Sequence, residues 1–499
     1  MSLVRAPRLA HHSLLNLLGQ GIPFVAAVVA IPLLIKGLGT DRFGVLTLAW
    51  MVTGYFSLFD LGLSRALTQV VSERLGAGQE KVAPPLVWAA LGMMGGLGLV
   101  ATALVAGISP WLVHSVLKIP AGLQAETVQA FYLLALAVPV VVVTTGLVGI
   151  LTSFHRFGVL NAVRAPLGIL TFVAPLAVLP YSHSLLWVTA VLVLVRTLAC
   201  AVYAWASRDL FPPFQGDLVR QFETLRPLLR FGAWMTVTNI VSPVMQYLDR
   251  FVVGAMLSIA AVAYYATPYE AVTKVLIVPS AILGVLFPAF AASYRNDHGR
   301  LVRLYTRGTK YIALLLFPGM LLVAAFALEG LRLWLGDDFA RQSAPVLQVL
   351  AIGVFINGIA QVFATLVQGV GRPDLSAKLH LIELPIYLPM LWLAIHRYGI
   401  LGAALAWTGR VALDGLLLFW MASRFLGENP ALVRRMAFGL LAALAGLLLP
   451  LLGGDLMLRI VLVIAVLVAY LLVTWTAVLD DGERLMLRGR LGLAVASGG

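Results

Sequence analysis

The chain has 499 residues, 61% hydrophobic and only 11% charged, with a mean hydropathy of +0.96. That leaves too little polar surface to cover a soluble globule of this size, so lipid is its main solvent. The net charge of +13 would suggest nucleic acid in a soluble protein, but the basic residues sit in short connections between apolar runs, so no nucleic-acid partner is expected. The single cysteine, Cys200, lies in an apolar run and excludes an internal disulfide and a multi-cysteine metal site.

Apolar runs of about 18 to 25 residues, each long enough to cross a hydrocarbon core of about 30 Å as a helix, recur from end to end and predict about fourteen spans. The first, over 13–38, follows Arg5, Arg8, His11 and His12 and so imitates a signal peptide. It continues through Ile35 and carries Asn16 and Gln20, which reads as a membrane helix. The second, over 44–73, carries a polar stripe of Thr53, Ser57, Asp60, Ser64, Thr68 and Ser72 along one side, bordered by Arg65. Spans over 84–108, 127–150, 158–180 and 184–207 follow, the last holding Arg196. A cytoplasmic linker with an amphipathic helix after Pro213 leads to spans over 228–256, with Asn239 and Asp249, and 259–292, with Glu270 and Lys274. Next come 308–328, 345–370, 378–396 with Glu383, and 400–424 with Arg410 and Asp414, then 435–452 and 456–479. Pro23, Pro32, Pro243, Pro279 and Pro288 remove backbone hydrogen bonds inside these runs and mark candidate kinks.

Lys and Arg alternate in density from one connection to the next. One side holds clusters such as Arg156 with Arg164, and Arg300, Arg303, Arg307 and Lys310; the other holds only Lys36, Arg42, Lys118, Arg250, Arg332, Arg341, Arg397 and Arg459. The bias places both termini in the cytoplasm. Sliding the chain by about 218 residues lays Ser13–Gly39 over Phe231–Leu257, a weak parallel repeat with its axis along the membrane normal. The expected organisation is an all-α polytopic membrane protein. It comprises an N-terminal six-helix bundle over 1–208, a linker over 209–229, a C-terminal six-helix bundle over 230–426, and two additional helices with a cytoplasmic tail over 427–499.

A charge at a helix centre costs about 2.5 to 3.5 kcal/mol on an insertion scale, so each should face the protein interior or a water-filled cavity. Arg65, Arg196, Lys274 and Arg410 lie well inside spans, as do Asp60, Glu270, Glu383 and Asp414, with Asp249 nearer the outer end of its helix. Glu270 with Lys274, and Arg410 with Asp414, are four apart and suit one helix face, so ion pairing competes evenly with function there. Arg65 lies five residues after Asp60, a poor spacing, and needs a partner from another helix, water or a substrate. The four cations are expected to form a cavity for a pyrophosphate and acidic sugars. Asp60, Glu270, Asp414, Asp249, Ser57, Ser64, Asn239 and Gln20 are expected to line it or serve coupling.

The stretches Arg42-Phe43-Gly44 and Phe56-Ser57-Leu58-Phe59-Asp60-Leu61-Gly62-Leu63 resemble the second-helix signature of polysaccharide (O-antigen type) flippases of the multidrug, oligosaccharidyl-lipid and polysaccharide exporter superfamily. A second match runs from Arg230-Phe231-Gly232-Ala233-Trp234 through Asn239 to Asp249-Arg250-Phe251, with Phe287-Pro288 ending the next helix. The resemblance implies two pseudo-symmetric six-helix bundles around a central cavity that opens alternately to the two sides of a prokaryotic cytoplasmic membrane. It implies a polyprenyl-pyrophosphate-linked oligosaccharide as cargo, with a polysaccharide polymerase and glycosyltransferases as further partners. A cation-coupled multidrug exporter is the nearest alternative, kept open by Tyr264, Tyr265 and Tyr269; a membrane-embedded glycosyltransferase is the alternative from another class. The chain has no G-x-x-x-x-G-K-[ST] loop and no H-E-x-x-H run among its 8 histidines, so neither ATP hydrolysis, metal catalysis nor a cofactor is expected. The membrane potential and proton binding at Asp60, Glu270 or Asp414 both remain open as energy sources.

Overall fold

A computed structural model describes residues 6–55, 60, 62–76, 83–210, 245, 247–427 and 430–490. Among these, nine helices are long and apolar enough to cross a membrane. The chain divides into two compact units, Met1–Glu270 with Ala377–Ala406, and Ala271–Ser376 with Trp407–Gly499.

In the first unit, α1 (Ala6–Leu38) runs unbroken through Pro23 and Pro32. The single span expected over 44–73 is instead two helices, α2 (Thr40–Tyr55) and α3 (Leu63–Gly76). Between them Gly62 has φ 75°. Buried Asp60 accepts from the Gly62 amide at 2.7 Å and from Ser64 Oγ at 2.6 Å. A carboxylate that takes up donors at a helix start favours a fresh start over continuation. Then come α4 (Ala83–Trp111), α5 (Ala121–Ser153), α6 (Phe157–Val178) and α7 (Leu185–Ser207). α5 is the central helix, packed on α2, α3, α4 and α7, while α1 packs on α6. Leu67 and Val71 of α3, Val87 and Ala90 of α4, Leu147 and Ile150 of α5, Leu160 of α6 and Tyr203 of α7 share one buried cluster.

Polar contacts fasten one end of this unit. Arg42 pairs with Glu126 at 3.3 Å, and the other Glu126 oxygen accepts from the Leu185 amide at 2.5 Å. An acid at the first turn of α7 also suits the helix dipole. The connection after α4 lies along the segment 254–259: the Lys118 amide donates to Gly254 O at 3.0 Å, the Ile259 amide donates to Lys118 O at 3.3 Å, and Lys118 Nζ donates to Met256 O. Gly44 approaches the same segment so closely that a Cβ there would sit 2.1 Å from Ile259 O. Any side chain at 44 must push this seam apart, which gives the Gly of Arg42-Phe43-Gly44 a steric reason.

α8 (Ile259–Thr273) continues through a 3-10 turn, Lys274–Leu276, into α9 (Ile277–Asn296). The tightening falls where Pro279 has no amide to offer the carbonyl of Val275 and its ring crowds that oxygen. Pro288 does not end its helix, as the motif had suggested; α9 runs on to Asn296. α10 (His298–Ala325) starts on a cap, Asp297 Oδ1 accepting from the Arg300 amide at 2.7 Å. After the short α11 (Ala327–Leu335), α12 (Asp337–Gly369) is the central helix of the second unit, packed on α9, α10 and α11.

The two spans expected over 378–396 and 400–424 are present as two helices that meet at a kink, together α13 (Pro373–Phe425), with non-helical geometry at Gly399 (φ 59°, ψ −137°). Only a residue without Cβ takes that conformation freely. Three residues on, a Cβ at Gly402 would lie 2.0 Å from Ala394 O, so the backbone passes close beside itself here.

α14 (Pro430–Leu448) and α15 (Leu456–Val473) pack on α10. Arg459 of α15 pairs with Glu329 of α11 at 3.0 Å. The tail is helical, α16 (Asp481–Arg490), and is clasped to α10: Lys310 Nζ donates to Glu483 at 2.7 Å, the Tyr311 hydroxyl donates to the same carboxylate, and Arg307 lies 3.9 Å from Asp480.

Candidate functional site

A cavity of about 430 Å³ opens in the first unit, walled by α2, α3, α5, α6 and α7. α3 contributes Ser64, Arg65 and Thr68 from its first two turns, a position set by the fresh helix start at Gly62. α5 contributes Val141, Thr144, Thr145, Val148, Gly149 and Thr152, the i, i+3, i+4 spacing of one helix face. Thr53 comes from α2, Leu167 from α6, and Arg196 with Ala199 from α7. α3 and α5 touch closely at Gly149, where a Cβ would meet Thr68 Oγ1 at 2.5 Å. Ser153 Oγ donates to Thr68 O at 3.0 Å and ties the same two helices.

Two cations therefore share one concave site. Arg196 is partly buried and Arg65 more exposed, and neither has a hydrogen-bond or ion-pair partner among the described residues. Asp60 does not neutralise Arg65. Its carboxylate accepts from the Gly62 amide, from Ser64 Oγ and, at 3.2 Å, from Thr145 Oγ1. That agrees with the poor five-residue spacing in the sequence. Two like charges facing a shared space, with the nearest acid engaged elsewhere, favour an anion in that space.

Lys274 lies in the 3-10 turn before α9, and Arg410 and Asp414 lie one turn apart on α13; all three belong to the second unit. Ser57 and Asn239 fall outside the described residues, as do the linker beyond residue 210, Pro243 and the stretch Arg230–Trp234. Gln20 lies in α1, but its side chain is likewise outside them.

Asp249 and Glu270 belong to a second polar group, centred on a residue that the charge bias had assigned to an outer connection. Arg250 is not in a connection: its side chain is 0% exposed. Its Nη2 donates to Glu270 Oε1 at 2.8 Å and its Nη1 lies 3.9 Å from Asp249 Oδ1. The guanidinium carbon lies 4.2 Å from the Tyr269 ring centroid and 4.9 Å from that of Tyr247, and the Tyr265 hydroxyl donates to Asp249 Oδ2 at 2.5 Å. Carboxylates and aromatic faces together are what a fully buried guanidinium requires. The signal was present in sequence as acids and tyrosines on two neighbouring spans, but hydropathy places Arg250 close to a span end.

Residues 37–344 match the polysaccharide biosynthesis protein family. A Shigella flexneri protein named as a candidate O-antigen transporter is 30% identical over 414 residues, covering 83% of this chain and 97% of its own length. Among solved structures, the lipid II flippase MurJ in an inward closed conformation has a TM-score of 0.69 at 13% identity, over 94% of this chain and 99% of that one. An inward-facing multidrug resistance MATE family transporter of the MOP superfamily has a TM-score of 0.66 at 14% identity, over 83% of this chain and 96% of that one. At these identities the two structures show a shared fold.

Proposed function

Because the chain belongs to the polysaccharide biosynthesis protein family, we propose that it is a flippase for a polyprenyl-pyrophosphate-linked oligosaccharide, carrying the glycan head group from the cytoplasmic to the outer leaflet of a prokaryotic cytoplasmic membrane. The observation that carries this reading is the pairing of Arg65 and Arg196 across one hydroxyl-lined cavity. Guanidinium groups supply fixed, bidentate donors to phosphate, and they act most strongly where water is scarce. The lipid tail stays in the bilayer while the head group enters the protein. Among the described residues that line the cavity the charged ones, Arg65 and Arg196, are basic, whereas acidic residues would suit cationic drugs.

In this reading residues 1–208 and 230–426 act as two halves that part alternately on either side. Residues 427–499 are accessory, and both termini are cytoplasmic. Lys274, Arg410, Glu270 and Asp414 are the candidates for contact with cargo or coupling ion in the second half. The protein transports and does not transform its cargo, so polymerase and glycosyltransferases act before and after it.

Export of surface glycan in a strain lacking its own flippase tests the reading. Arg65→Glu combined with Arg196→Glu is expected to abolish export at an unchanged protein level. Normal export by that variant would overturn the role given to the cavity.

A further inference from the structure

Among the described residues, the six hydroxyls that line the cavity already use their protons. Thr53, Thr68, Thr144 and Thr152 each donate to the carbonyl four residues back, at 2.5, 2.7, 2.6 and 2.7 Å. Ser64 donates to Asp60 Oδ2 at 2.6 Å, and Thr145 Oγ1 lies 2.7 Å from Val142 O and 3.2 Å from Asp60 Oδ2. A hydroxyl has one proton and two lone pairs, and a carbonyl can only accept. Each of these hydroxyls therefore points its proton into the wall and leaves lone pairs toward the space.

The wall is thus sharply divided in hydrogen-bond character. Among the described lining residues its donors are Arg65 and Arg196, and its hydroxyl collar offers acceptors. A bare phosphate, whose ionised oxygens only accept, fits the arginines but meets lone pairs at the six hydroxyls. A polyol or acylamino sugar brings the missing donors. The volume of about 430 Å³ lies at the lower part of the range of about 300–1,000 Å³ typical of small-molecule sites, enough to hold the phosphate end of the head group and the sugar attached to it.

We infer that the cavity recognises an anion with hydroxyl or amide donors directly beside it, the arginines holding the phosphate and the oxygens of Thr144 and Thr152, with the rest of the collar, accepting from the attached sugar. This rests on the flippase reading and adds to it a division of labour: charge for the phosphate, acceptor oxygens for the sugar.

The test uses the full chain in lipid nanodiscs and two probes, farnesyl diphosphate and farnesyl diphosphate carrying one galactose. Two gained hydrogen bonds correspond to about a tenfold difference in Kd, so the galactosyl probe is expected to bind about tenfold tighter. The isosteric pair Thr144→Val and Thr152→Val removes acceptor oxygens and is expected to erase that difference while leaving the Kd for farnesyl diphosphate within about twofold. Thr144→Ser with Thr152→Ser keeps the oxygens and is expected to keep the difference. Arg196→Gln weakens both probes together. Equal binding of the two probes by the unaltered protein overturns the collar and leaves the flippase reading standing. So does a valine-pair loss shared by both probes, or loss of the difference in the serine pair. If neither probe binds the unaltered protein, the flippase reading falls and the collar with it.

Discussion

Arg196 and Arg250 are both arginines set into apolar helices, yet they answer to opposite requirements. Arg250 is enclosed by its own acids and rings, whereas Arg196 faces open space. Substitutions should separate the two. Arg250→Met leaves Asp249 and Glu270 without their guanidinium, and removing one partner of a buried ion pair costs about 3–5 kcal/mol. Thermal unfolding in detergent should show a drop of several degrees for this variant, and at most a small change for Arg196→Gln. Equal drops for the two would mean that Arg196 is a packing residue as well. Gly44→Ala is a third residue-scale case. Its Cβ would lie 2.1 Å from a backbone oxygen, where no rotamer change brings relief, so a destabilisation of about 1–3 kcal/mol is expected in the same measurement. The neighbouring Gly54, with open space at its Cβ position, is the control: Gly54→Ala should be nearly silent.

At the scale of elements, hydropathy and length were enough to find the spans, because bilayer thickness fixes both. They were not enough to find breaks made by one residue. Nothing in the apolar run over 44–73 announces that Asp60 will turn inward to take up the Gly62 amide; the break depends on a hydrogen bond and one left-handed residue, neither of which changes mean hydropathy. The same limit hid α11 and α16, which are short and amphipathic. α16 offers an element-scale prediction. Burial alone would raise the Glu483 carboxyl, but hydrogen bonds from Lys310, Tyr311 and the Asp480 amide outweigh it and hold it down to about 2, from 4.5. A folded value below the undocked one makes the clasp fully effective above about pH 4.5 and progressively lost as pH falls toward about 2. Arg307 and Asp480, which flank the clasp, add opposite charges. A spin label at Leu485→Cys in a Cys200→Ser background should be less mobile at neutral pH than at about pH 2, with bulk helix content checked by circular dichroism. Glu483→Gln should give the higher mobility throughout; a pH-dependent label in that variant like that of the unaltered tail would show that Lys310 does not hold the tail.

At the scale of the molecule, two of the four cations flagged inside apolar spans, Arg65 and Arg196, about 130 residues apart, line one cavity. Sequence spacing could flag each as an expensive charge, but only tertiary packing shows which charges share a wall. Thr53, Ser64 and Thr68 of the polar stripe on the second span border this cavity, while its complement on α5, Thr144, Thr145 and Thr152, goes unmarked inside a strongly apolar run. Isolated threonines barely lower hydropathy, and their alignment appears only when the helix faces another. The seam between Lys118 and 254–259 lies within the first compact unit but joins segments that the proposed mechanism places in different halves, so that mechanism requires it to part during transport. A thiol cross-linker between Lys118→Cys and Met256→Cys, again without Cys200, should arrest glycan export, and a reducible linker should restore it on cleavage. Undiminished export with the cross-link in place would show that these segments move together.

The turn at Gly399 has a practical corollary. Where two membrane-crossing stretches are joined by a single non-helical residue, there is no slack for a protease to bind and cut, and no room for an inserted epitope without unwinding the helix ends. Topology reporters and affinity tags placed there would report on damage rather than on sidedness, and a surface-directed antibody would find little of this face to grasp.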